Sequence, residues 1–450
     1  MFGALRLGRG GVRGVARAAL AARPCGAAAG DAPAAAGRAL HATPPAAAKV
    51  LCVLYPDPTG GYPPPPVRDG IPTITHYPDG STVPSPAAVD FTPGALLGSV
   101  SGELGLRRFL EAGGHSLVVT SDKGPDSAFD AHLPDADFVI SQPFFPAYLT
   151  AERLAAAPRL RAAITAGIGS DHVDLAAAID RGVNVCEVSY CNSVSVAEHA
   201  TMMALSLVRN YLPSHAVAAG GGWNIADCVA RAYDIEGMAV GTVAAGRIGL
   251  GILRRLHPFG CALHYTDRHR LPADVEAQYG LTYWASWTDM AAAMDVVTLN
   301  CPLHPETEHM VNADTIGAFK RGAYLINTAR GKLCDADVIA AALADGRLAG
   351  YAGDVWYPQP PPADHPWRTA PWSGMTPHTS GTTLSAQARR LADLVMEDDA
   401  ALHAAFAEAL MLSESSAFAR SKGGAGHLQV ARYAANRLRQ DARIAAFSLN

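Results

Sequence analysis

Apolar positions in this chain gather into short runs of strand length, separated by stretches where they recur at helical spacing, and they do so in two series. The first opens with Val50–Tyr55, which stops at Pro56 and Asp57. It continues through a helical stretch that ends at Ala112, a run at Ser116–Thr120, another at Phe138–Ser141, a helix near Thr150–Ala157 and a run at Ala162–Thr165. The second begins at Gly237, with runs at Met238–Val243, Ala262–Tyr265, Val296–Leu299, Ala323–Ile326 and Tyr351–Gly353, and ends near Pro377. Strands that alternate with helices predict parallel sheets, so the fold class is α/β with two doubly wound units. Between the series one helix is predicted over Val194–Gly220, where Met202, Met203, Leu205, Leu207 and Val208 are too densely apolar for a solvent-exposed helix; it reads as a domain connector. From Pro56 to about Gly98 the chain is rich in Pro and Gly, including Pro63–Pro66, which predicts a long extended surface loop. Past Thr382 the period is helical, with Leu391, Leu394, Leu402, Phe406 and Leu410 on one face.

Composition narrows the function classes. With 450 residues, 49% hydrophobic and 17% charged, the chain can bury more than one core. The net charge of -5 gives no basic excess, so neither nucleic acid nor an anionic membrane is an expected partner. No apolar stretch reaches the roughly 18 residues of a membrane span. The eight cysteines contain no C-x-x-C pair and several lie in apolar runs, so buried free thiols are expected, with no metal and no disulfide. The first 47 residues differ: Arg6, Arg9, Arg13, Arg17, Arg23 and Arg38 are set among Ala and Gly, and Asp31 is the only acid before Asp57. That composition suits an organelle transit peptide, mitochondrial or alternatively chloroplast; a disordered Ala-rich tail without an address is the other reading.

The clearest chemistry lies where Met238–Val243 runs into Ala244-Ala-Gly246-Arg247-Ile248-Gly249 and then into an amphipathic helix. A tight turn there offers backbone N–H groups at a helix N-terminus, and Gly246, lacking Cβ, lets a pyrophosphate approach. Gly249 lets the helix pack on the strand, while Ala244 stands where the first glycine of such a triplet is usual. Asp267, at the end of the next strand, can accept from the adenosine ribose hydroxyls and repel a 2′-phosphate, which selects NAD over NADP. Arg268 beside it would greet a phosphate if the acid were removed. A structural glycine turn with a solvated Asp is the bland alternative.

Three polar residues stand at strand ends or loops that would face the same cleft. Arg330, in Asn327-Thr-Ala-Arg330, follows a predicted buried strand and offers a fork donor suited to a carboxylate. It is equally a surface Arg or a salt-bridge partner of Asp335. His378 sits in the Pro-bounded turn Met375-Thr-Pro-His378-Thr-Ser380-Gly381, either catalytic or structural. Asn192, in Tyr190-Cys-Asn192-Ser193, opens the long helix and is otherwise an ordinary N-cap.

Together these segments resemble NAD-dependent formate dehydrogenases, within the D-2-hydroxyacid dehydrogenase superfamily. The resemblance runs from about Ala48 to Arg389 and is carried also by Ser141-Gln-Pro-Phe144, Thr165-Ala-Gly-Ile-Gly-Ser-Asp-His-Val-Asp174, Gly221-Gly-Trp-Asn-Ile-Ala-Asp-Cys228, Asn300-Cys-Pro-Leu-His-Pro305 and Gly353-Asp-Val-Trp356. It implies a split flavodoxin-like catalytic domain, 48–192 with a return at 379–410, around a central Rossmann coenzyme domain at 193–378, leaving 411–450 as a divergent tail. It also implies a homodimer built through the coenzyme domain. Arg330 and Asn192 would hold the formate oxygens and His378 would add a hydrogen bond. The backbone near Ile168 would help position the substrate, and Pro143, Phe144 and Ile168 would wall a small dry pocket. Ser193, Pro302, His304, Thr328 and Asp354 would line the cofactor cleft, with Ser380 and Gly381 against the nicotinamide carboxamide.

Hydroxyacid relatives must remove a hydroxyl proton, so they pair their His with an acid that keeps it basic. Formate loses only hydride. Where the resemblance expects that acid, this chain has Gln359, in Trp356-Tyr-Pro-Gln359, an amide that orients His378 without making it a base. The expected reaction is therefore oxidation of formate to carbon dioxide with hydride passing to NAD. A dehydrogenase of glyoxylate or hydroxypyruvate type and an inactive NAD-binding regulator are the competing readings.

Overall fold

The computed structural model describes residues 47–59, 95–188 and 191–395. The expected transit peptide, most of the Pro/Gly-rich loop and everything from residue 396 lie outside them. Among the described residues twelve strands form two sheets, every pair parallel. The first sheet contains β1 (Lys49–Val53), β2 (Ser116–Thr120), β3 (Phe138–Ser141), β4 (Ala162–Thr165) and β5 (Asn184–Glu187), in the order β2-β1-β3-β4-β5. The second contains β6 (Ala239–Val243), β7 (Ala262–Thr266), β8 (Leu281–Tyr283), β9 (Val296–Leu299), β10 (Ala323–Asn327), β11 (Leu348–Gly353) and β12 (Ser373–Met375), in the order β12-β11-β10-β9-β6-β7-β8.

Successive side chains of a strand point to opposite faces, and both faces here are covered. In β1, Val50 and Cys52 pack with Leu104, Leu110 and Leu391 on one side, while Leu51 and Val53 pack with Phe129, Leu149 and Leu154 on the other. In β10, Leu325 enters one core and Tyr324 and Ile326 the opposite one. Central strands are therefore mostly apolar on both faces and stand out in the sequence. Three of the four edge strands, β5, β8 and β12, carry Asn184, Thr282 or Ser373 and present no continuous apolar run, which is why the pattern does not reveal them. Leu391 ties the helix Leu384–Val395 to the first sheet, so the described part of the C-terminal stretch packs against the N-terminal unit.

The single connector helix expected over Val194–Gly220 is two helices, Ser193–Val208 and Tyr211–Ala219. Asn210 breaks it by taking a left-handed φ of 51°, a conformation Asn tolerates better than most residues, and its Nδ2 donates to Cys228 O at 2.9 Å. Apolar residues continue across the break, so periodicity alone does not show it. The seven described cysteines are free thiols; Cys52, Cys191, Cys301 and Cys334 are buried and Cys186 is exposed. No helix among the described residues is long and apolar enough to cross a membrane.

Candidate active site

The order of the second sheet puts β6 between β9 and β7, so chain direction along the sheet reverses beside β6 and leaves a crevice at the carboxyl ends of the strands. The Ala244–Gly249 turn lies there. Ala244 has φ 72°, so it adopts the glycine-like conformation that the usual residue would take without a Cβ penalty. Gly246 caps the helix Arg247–Leu256, and a Cβ built on it meets nothing within 4 Å, leaving open space in front of the helix N-terminus. A Cβ on Gly249 would fall 2.1 Å from Ala244 O, so only glycine permits this helix to pack so close to the strand. Asp267 follows β7; its Oδ2 accepts from Ala245 N at 2.8 Å and its Oδ1 from His269 N at 3.0 Å, which aims the carboxylate along the turn. Arg268 is exposed beside it. On the same side, Pro302 and His304 follow β9, and Thr328 follows β10 with a buried Oγ1 that has no partner. Asn300 Oδ1 and Ser193 Oγ are likewise buried and unsatisfied. Unpaired buried oxygens are uncommon in a folded protein, and these three lie in segments that would face a dinucleotide. The residues present therefore fit NAD.

The residues expected on the substrate side come from both sheets. Arg330, just past β10, donates from Nε to Asp171 Oδ1 at 2.5 Å, from Nη2 to Ile168 O at 2.7 Å and from Nη1 to Ala329 O at 2.7 Å. Its salt bridge is thus to Asp171 and not to Asp335, which caps the helix Ala336–Ala344. Three of five guanidinium N–H groups are used and two remain. Asn192 opens its helix, yet its side chain makes no capping bond and its buried Oδ1 has no partner. A Cβ on Gly381 would come 2.8 Å from Asn192 Nδ2 and 3.0 Å from Phe144, so the small residue leaves room for both. Pro143 and Phe144 follow β3, and the Phe144 ring meets His378 edge-on at 5.1 Å.

His378 is held from two sides. Gln359 Nε2 donates to Pro143 O at 2.9 Å and Phe144 O at 3.1 Å, which turns its Oε1 toward His378 Nδ1, 2.9 Å away. Nδ1–H is therefore the donor in that pair. Asp354, fully buried after β11, accepts from Thr376 Oγ1, Thr379 N and Ser380 N at 2.5, 2.7 and 2.8 Å. Those bonds clamp the turn in which His378 takes φ 59°, a left-handed conformation rare for a non-glycine residue.

Residues 201–380 match the family model described as D-isomer specific 2-hydroxyacid dehydrogenase, NAD binding domain. The formate dehydrogenase of Pseudomonas sp. (strain 101) is 71% identical over 343 residues, 76% of this chain and 86% of that protein. The chain belongs to the formate dehydrogenase family. Among solved structures, the Granulicella formate dehydrogenase superposes with a TM-score of 0.73 at 63% identity, covering 77% of this chain and 92% of that one. The NAD-dependent formate dehydrogenase of Staphylococcus aureus, solved in complex with NAD, gives 0.64 at 39% identity, over 77% and 93%.

In this formate dehydrogenase the electrostatics of the site favour a neutral imidazole. Burial pulls the His378 pKa down to about 4, and the Arg330 charge adds to that, against the opposing pull of Asp354 and Asp171. Asp171 and Gly169 are site residues that the sequence reading did not single out. Gly169 has φ 97°, and a Cβ there would lie 1.5 Å from Arg330 Nη2. Both fall inside the quoted Thr165–Asp174 motif, whose glycines were the available signal. No cluster of His, Cys, Asp or Glu able to hold a metal occurs among the described residues.

Asp267→Ala is expected to raise the ratio of kcat/KM with NADP to that with NAD by about 10- to 100-fold, because a like-charge repulsion is removed while Arg268 remains. Steady-state kinetics with the two coenzymes check it; an unchanged ratio would refute the role of Asp267.

Proposed function

We propose that formate is held between Arg330 and Asn192, beside a neutral His378, with its reactive C–H directed at the nicotinamide edge of the cleft. The enzyme oxidises formate to carbon dioxide. Bound NAD supplies the hydride acceptor, and the remaining work falls to the protein's own groups. The two free N–H groups of Arg330 and the Nδ2 of Asn192 converge on the anion's oxygens. Pro143, Phe144 and Ile168 exclude water, which favours dispersal of the carboxylate charge as linear carbon dioxide forms. Ser380 and Gly381, on the clamped turn, border the coenzyme, and Asp354 acts mainly by holding that turn.

The observation that carries this reading is the His378–Gln359 pair. A carboxylate in place of Gln359 would hold the imidazole protonated into the neutral range, as a reaction with proton transfer needs. The amide leaves it neutral, and hydride loss from formate needs no base. Accordingly kcat/KM for formate should show no ionisation between about pH 6 and 8. In Gln359→Glu the new carboxylate stabilises the imidazolium and raises the His378 pKa. Below that pKa the pair is electrically neutral; above it the pair carries a net negative charge that repels formate. The KM for formate is therefore expected to rise as pH increases through the neutral range, read from pH profiles of both proteins. A flat profile in the variant would sink the pairing argument.

On the same footing, we take 48–192 with 379–410 as the substrate domain, 193–378 as the coenzyme domain and 1–47 as a mitochondrial transit peptide, with a chloroplast address as the alternative. The address rests on composition alone. A homodimer through the coenzyme domain is supported by exposure: Met202, Tyr211, Leu212, Trp223, Ile225, Val229 and Tyr233 are exposed large apolar residues in one segment, and Trp223 is 85% exposed. Sedimentation equilibrium should give twice the chain mass; a monomer at micromolar concentration would exclude it.

A further inference from the structure

A cavity of about 260 Å³ lies immediately behind the pair that orients the substrate. Its inner wall includes Gln359, the partner of His378, and Phe144, whose ring touches His378 edge-on. Phe145, Trp356 and prolines make most of the remainder apolar. Two cations also line it, one from each sheet unit: Lys123, shortly after β2, and Arg368, shortly before β12. Lys123 Nζ donates to Pro146 O at 2.7 Å and sits 4.1 Å above the Phe145 ring. Arg368 donates from Nε to Pro362 O at 2.8 Å and from Nη2 to Pro361 O at 3.0 Å. Among the described residues their hydrogen bonds go to backbone carbonyls and no carboxylate forms a salt bridge with either, Arg368 also lying over the Trp356 ring at 5.5 Å, and both retain N–H groups. The neighbouring Arg153, by contrast, is bonded to Asp130 through Nε at 2.8 Å. Burial, with the charge of Arg153, pulls the Lys123 pKa down. A nearby anion would reverse that penalty.

We propose that this cavity is an anion-collecting vestibule through which formate reaches the cleft, with Lys123 and Arg368 as its steering charges. The proposal rests on the placement of formate beside His378 and Gln359. Two cations at the rim of an apolar-walled opening focus their field and raise the local concentration of a small anion. At about 30 Å³ per water molecule, the space admits an anion with several waters, so desolvation is deferred to the inner wall. The apolar walls add no group that would trap the anion on its way.

The test is formate kinetics of the full-length wild type, Lys123→Gln, Arg368→Gln and the double variant at several ionic strengths. In the wild type kcat/KM for formate should fall as salt rises, because steering is screened. The double variant should lose about three- to tenfold in kcat/KM at low salt, keep kcat, keep the KM for NAD, and show a flatter salt dependence. Lys123→Arg and Arg368→Lys, which preserve charge, should behave like wild type. Unchanged kcat/KM in the double variant overturns the proposal, as does a loss that keeps the wild-type salt slope or that the charge-preserving variants share. Arg330→Ala tests the anchoring separately: its failure to turn over formate, alongside a normal double variant, would remove the vestibule and leave the substrate placement intact.

Discussion

Arg330→Ala is expected to abolish detectable formate turnover while leaving NAD binding intact. The guanidinium keeps two free N–H groups, three of its donors being anchored on Asp171, Ile168 and Ala329. Removing one partner of a buried, hydrogen-bonded charge pair costs about 3 to 5 kcal/mol. At about 1.4 kcal/mol per tenfold, kcat/KM should drop by roughly two to four orders of magnitude. Coenzyme titration followed by fluorescence should give the wild-type affinity, since the Ala244–Gly249 turn and Asp267 are untouched. Formate kinetics within about tenfold of wild type would refute the anchoring role.

Gly169→Ala should produce nearly the same defect without altering any side chain that touches substrate. The new Cβ would occupy the position of Arg330 Nη2, 1.5 Å away, so the guanidinium must leave its seat on Ile168 O. The left-handed φ of 97° adds strain of about 1 to 2 kcal/mol. Gly182→Ala separates the two effects. Gly182 has φ 71°, but a Cβ there meets nothing within 4 Å, so this variant should lose stability and keep its activity. Thermal unfolding and formate kinetics on both proteins provide the check; equal activity of the two would show that Arg330 placement does not depend on Gly169.

How much of this was legible in the sequence depended on which physical pressure shaped each segment. Strands at the centre of a sheet must be apolar on both faces, so β1, β3, β6, β9 and β10 read directly. Edge strands are relieved of that demand: β5, β8 and β12 were silent, while the edge strand β2 still read through its run Leu117-Val118-Val119. The connector helix misled because Asn210 interrupts the backbone without interrupting the apolar run. At the site, Arg330, His378 and Asn192 each stood in a distinctive local setting, whereas the resemblance was needed to give Gln359 its meaning. Asp171 was invisible as a site residue, for its partner lies 159 positions away and no local pattern records a contact between two sheets. The same holds for Lys123 and Arg368, ordinary surface cations until the fold sets them on one cavity.

The bonds of Arg330 carry one more implication. It leaves β10 of the second sheet and fastens onto Ile168 and Asp171, which follow β4 of the first. The group proposed to receive the substrate is thus also a latch between the two sheets. The proposed grip on the anion and the bond between the two sheets then share a single side chain, so a lineage that gave up formate by mutating this residue would lose part of its own internal fastening in the same step.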